Sequence, residues 1–106
     1  MKLKILTGDW EILETEEELY AETMFPERVI RYNMDFMWDE QTFRHCMIHE
    51  LTHAYIAELG QAQNSFSNGK RQDEFDSEWI CEFVAIYLQD ILSTYDKIKH
   101  LYNVDR

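Results

Sequence analysis

The sequence predicts an α+β domain, with about three antiparallel strands packed on two main helices and residues 1–106 forming a single unit. Three observations carry this reading. Large apolar residues fall in short runs through the first third of the chain, as half-buried strands require. Two long stretches with helical spacing follow, over 40–59 and 77–94. A chain of 106 residues, 45% of them hydrophobic, supplies one core and not two. Only three glycines and one proline are present, which excludes collagen-like repeats and low-complexity disorder.

In chain order, 3–6 and 10–13 read as strands parted by the turn signal Thr7-Gly8-Asp9. Thr15 and Glu18 have the spacing of a capping box, which predicts one helical turn within 14–20. The runs 21–24 and 28–33, bounded by Phe25-Pro26-Glu27, read as a hairpin ending near Asn33. Asp39 is placed to cap a helix that opens at Glu40 and runs to about Leu59, with Gly60 as its stop. The polar stretch 61–76 reads as a loop, long for so small a domain, and so a candidate rim of a site. A second helix begins near Asp76 or Ser77 and runs to about Thr94 or beyond, with a tail from Lys97 that extends it or frays.

Ten Lys and Arg against 21 Asp and Glu leave a net charge of −11. A surface of that sign repels phosphate backbones and anionic headgroups, so neither a nucleic-acid nor a membrane partner is expected. Eight of the carboxylates lie between Thr7 and Glu27 with no Lys or Arg among them, which reads as a solvated acidic edge. No apolar run approaches the roughly 20 residues of a membrane helix, and the opening run is too short for a secretory signal. The expected setting is the cytoplasm. Cys46 and Cys81 make no disulfide framework and are expected as reduced, partly buried thiols on the two helices. Trp10, Trp38, Trp79 and Phe43 are read as core or rim packing.

The chemistry lies in His49-Glu50-Leu51-Thr52-His53, the H-E-x-x-H pattern on the first helix. Side chains four apart on a helix stand one above the other, so two neutral imidazoles can hold one Zn²⁺ from the same side. Glu50 sits about 100° round the helix, where its carboxylate can serve as the general base for a metal-activated water. On a helical wheel Glu40, Arg44 and Glu58 fall on one side and the histidines on the other, so the pair is expected to point inward. A catalytic zinc needs a third protein ligand. His45 flanks the pair on the same helix and His100 lies in the tail. Glu78 and Glu82, four apart on the second helix, are the stronger candidates. Cys46 shares the histidine side and is read as a packed thiol.

This arrangement, H-E-x-x-H on one helix, a loop, then Glu on a following helix, resembles the zinc metallopeptidases called gluzincins. The small size, the leading strands and the run Glu78-Trp-Ile-Cys-Glu82-Phe-Val-Ala85 are similar to the compact phage and plasmid branch, the ImmA/IrrE-type peptidases and minimal gluzincins. The resemblance covers roughly residues 10–92 and is specific at about seven positions. It implies a zincin-like fold, zinc held by His49, His53 and Glu78, and Glu82 orienting one histidine from outside the ligand set. It also implies that 21–24 form an edge strand against which an extended peptide lies. The chain departs from the pattern at Glu82, where Asp or Asn is more usual, and at Cys81, where Ala is common. The longer Glu82 competes with Glu78 as ligand. No helix-turn-helix segment is present.

The implied function is a zinc-dependent peptide-bond hydrolase acting on a protein or peptide, with Glu50 as base. Tyr20, Tyr55, Tyr87 and His45 are candidate oxyanion donors by residue type. The competing reading is a catalytically silent module of the same fold that works by protein–protein docking.

Overall fold

A computed structural model describes residues 1–63 and 77–103, with side chains at 1–60, 81 and 83–102. Strand β1 (Lys2–Ile5) pairs antiparallel with β2 (Gly8–Glu14) in the register Ile5↔Gly8, so the turn is Leu6-Thr7, with Leu6 at φ 55°. Gly8 therefore opens β2 instead of sitting in the turn. Its requirement for glycine is steric, because a Cβ there would collide with the Glu58 carboxylate and stand 2.8 Å from the Arg28 guanidinium.

Strands β3 (Ala21–Met24) and β4 (Val29–Tyr32) form the predicted antiparallel hairpin; its turn contains a cis Phe25–Pro26 bond and Arg28 at φ 62°. The sheet is nonetheless four-stranded, in the order β1-β2-β4-β3, and β2 runs parallel to β4. This corrects the expectation of about three antiparallel strands. The segment 15–20 crosses over, so that β3 lies outermost and β4 inserts beside β2. No helical turn forms in that crossover. The Thr15 hydroxyl accepts from the Glu17 amide at 3.3 Å, and Asn33 ties the segment down through its amide to Glu17 O (2.7 Å) and its backbone N–H to Tyr20 O (3.0 Å). The capping-box signal is thus spent on a local turn.

After a short 3₁₀ turn at Met34–Phe36 comes α1 (Glu40–Gln63), and Asp39 caps it by accepting from the Thr42 amide at 2.7 Å. α1 passes through Gly60 rather than stopping there. The three residues after it, Gln61-Ala62-Gln63, are good helix formers that offset one glycine. Helix α2 (Ser77–Ile98) follows, then a 3₁₀ turn at Lys99–Asn103. The rest of the predicted loop, 64–76, lies outside the described residues.

One face of the sheet gives Ile5, Trp10, Ile12, Ile30 and Tyr32 to the core. α1 adds Phe43, Met47, Leu51, Ala54 and Tyr55, and α2 adds Phe83, Ile91, Tyr95 and Ile98. Trp10 and Phe43 are packed as predicted, whereas Trp38 is 69% exposed and the Trp79 side chain lies outside the described residues. Among the described residues no helix is long and apolar enough to cross a membrane.

Candidate functional site

The i, i+4 spacing on α1 stacks His49 above His53, with ring centroids 4.8 Å apart and Nε2 atoms 3.1 Å apart. Both rings are exposed, which corrects the expectation that they face inward. Part of the reason lies in Glu58. The wheel took it as a marker of the wet face, yet it is 6% exposed and sits inside. It accepts from Trp10 Nε1 at 2.7 Å and from Arg28 Nε at 2.6 Å, so its charge is met without water. The buried stripe of α1 runs through Phe43, Met47, Glu50, Leu51, Ala54 and Glu58, which leaves the histidines on its flank.

Glu50 is buried beside them, 8% exposed. Its Oε1 accepts from the Thr23 hydroxyl at 2.6 Å, and the same hydroxyl lies 3.0 Å from the Glu50 carbonyl oxygen. Thr23 belongs to β3, the edge strand of the sheet. Between β3 and α1 runs an open groove of about 400 Å³, lined by Ala21, Glu22, Thr23 and Phe25 on one side and Glu50, His53, Ile56 and Ala57 on the other. Glu22 at its rim is paired with Arg31. Phe25 is held from behind by Trp10, stacked at 6.2 Å, and by the Arg28 guanidinium, 5.1 Å from its ring centroid. The Glu58 network therefore fixes one apolar wall of the groove.

Two imidazole nitrogens on one tetrahedral zinc, each bonded at about 2.0–2.1 Å, stand about 3.3 Å apart. The two Nε2 atoms, 3.1 Å apart, are close to that spacing, which a hydrogen bond between the two rings also gives. The pair thus fits two corners of a zinc site. Among the described residues no group of three or more His, Cys, Asp or Glu forms a metal cluster. The predicted third donors lie on α2, and the side chains of both Glu78 and Glu82 are outside the described residues. Where α2 is described, Tyr95 lies against Phe43 and Arg44, and Tyr55 lies against Tyr87, Asp90 and Thr94. These contacts pack 87–95 of α2 against Phe43, Arg44 and Tyr55 of α1.

Other candidates are placed elsewhere. Cys46 is half-buried, and burial together with the Glu50 charge pushes its thiol up, which favours the packed, protonated form. Cys81 is exposed, not partly buried as expected. Tyr55 is committed to Asp90 Oδ2 and Thr94 Oγ1, both at 2.8 Å, and is too buried to meet a substrate. Tyr20 packs on Phe36 and Trp38 at a corner of the sheet, and Tyr87 on Phe83. None of the four candidate oxyanion donors lines the groove. Sequence reasoning missed Thr23, whose only signal was a hydroxyl in a short strand, and it missed the Trp10–Glu58–Arg28 network.

Compared with protein-family models, with curated proteins and with solved structures, the chain matches none.

Proposed function

We propose that this protein is a zinc-dependent peptide-bond hydrolase of the gluzincin kind, with the zincin-like arrangement that its motif suggests. One observation carries the reading: two Nε2 atoms at the spacing of zinc ligands, with a buried carboxylate on the same helix that opens, with His53, into the groove beside β3. Bound there, zinc would supply Lewis-acid chemistry, polarising a carbonyl and lowering the pKa of water.

The chain's own residues divide the remaining work. His49 and His53 present neutral nitrogens to the ion. Glu78 is the proposed third donor on the sequence pattern alone, with Glu82 orienting a ligand; the described contacts of α2 do not supply it. Glu50 takes a proton from the attacking water and passes it to the leaving amine. An extended peptide would lie along β3, with Phe25 as an apolar contact on the strand side of the groove and Ile56 and Ala57 on the His53 side.

The test is cleavage of an unbiased peptide library by zinc-loaded protein. Glu50-dependent cleavage at defined bonds supports the hydrolase. Zinc binding without any cleavage supports the docking module instead.

A further inference from the structure

We propose that Thr23 is a positioning residue for Glu50, holding its carboxylate in the orientation that the chemistry requires. The proposal rests on the hydrolase reading above and adds a second element, the edge strand β3, to the working parts of the site. It begins from a contrast within α1. Glu58 and Glu50 are comparably buried, at 6% and 8% exposure. Glu58 is met by a guanidinium and an indole N–H, as a structural carboxylate must be. Glu50 has no cationic partner among the described residues, and its one described side-chain partner is a hydroxyl.

That hydroxyl is placed to hold a reacting carboxylate without neutralising it. It donates to Oε1 at 2.6 Å, a short charge-assisted bond, and among the described residues nothing is hydrogen-bonded to Oε2. A flexible glutamate otherwise spreads over several rotamers. The carbonyl oxygen of Glu50 at 3.0 Å gives the same hydroxyl a second acceptor. It can therefore turn away when the carboxyl carries a proton, so Thr23 suits both states of the base and need not itself exchange protons with substrate. Because Thr23 stands on β3, the strand proposed to align the peptide also aligns the base.

The experiment compares wild type, Thr23→Val and Thr23→Ser for zinc content, kcat and KM. A second arm records the Glu50 side-chain carboxyl ¹³C resonance in the metal-free proteins, assigned through Glu50→Gln. Thr23→Val is expected to keep zinc and KM while kcat falls roughly 10- to 100-fold, the weight of one charge-assisted bond. Thr23→Ser should recover most of that loss, and only the valine variant should move the carboxyl resonance. A kcat within twofold of wild type in Thr23→Val, or a serine variant as slow as the valine one, overturns the proposal. If the wild type binds zinc and cleaves nothing, it is the hydrolase reading that fails. The resonance arm then still decides whether Thr23 orders Glu50, and an unmoved signal in Thr23→Val rejects that too.

Discussion

At the scale of single residues, the sharpest distinction is between a carboxylate that is satisfied and one that is kept available. Glu58 accepts from Trp10 and Arg28, while Glu50 accepts from Thr23 and opens on the groove. The proposed division of labour predicts that Glu50→Gln keeps zinc and loses turnover by a factor of about 10² or more, since a general base typically contributes 10²–10⁴-fold. His53→Ala should lose both. Metal analysis beside peptide cleavage reads the two variants apart, and a Glu50→Gln protein with wild-type turnover contradicts the assignment. The pentapeptide itself was legible in the sequence, because i, i+4 spacing on a helix leaves little geometric freedom. Thr23 was not, because a lone hydroxyl in a four-residue strand says nothing of what stands opposite until the strand is placed against α1.

At the scale of elements, α1 shows why its orientation was misread. Almost no hydrophobic asymmetry runs around its axis, so the assignment of faces turned on a few charges. Glu40, Arg44 and Glu58 all lie on the side of α1 that carries Met47, Leu51 and Tyr55; Glu58 is internal, and Glu40 and Arg44 are exposed in the first turns of the helix. Gly8 is the counterpart of that error. It reads as a turn residue and serves as clearance for the Glu58–Arg28 pair. Gly8→Ala should cost about 1–3 kcal/mol through overpacking, measurable as a lower denaturant midpoint with an unchanged slope. An unaffected midpoint would mean that the pair has room to shift.

The α1–α2 contact makes a separate prediction. Burial pushes the Tyr55 hydroxyl up to about 12, and its bond to Asp90 acts in the same direction. The folded state thus holds this proton more tightly than the unfolded chain does. The stabilisation is fully present below the ordinary tyrosine value near 10 and is lost as pH rises through about 12. Tyr55→Phe should cost about 1–2 kcal/mol at neutral pH and should flatten the fall in melting temperature between pH 10 and 12. Parallel melting curves for the two proteins across that range would count against this role for Tyr55.

At the scale of the whole molecule, the α+β class and the order of elements were readable, because runs of apolar residues and helical spacing are local properties. The parallel β2–β4 pairing was not, since no residue pattern within a strand names its neighbour. The groove between β3 and α1, lined by Glu50 and His53, is the feature to test. If zinc binds the folded chain alone, it stabilises by mass action, by about 2.7 kcal/mol at one hundred times its dissociation constant. Chelation should therefore lower the melting temperature of wild type and leave that of His53→Ala unchanged.

The most direct measurement is the metal content of protein purified without added metal, compared among wild type, His53→Ala and Glu78→Ala. The account predicts about one zinc per chain in wild type and a large loss in each variant. A wild-type protein free of zinc, or a Glu78→Ala protein with its full complement, would contradict it.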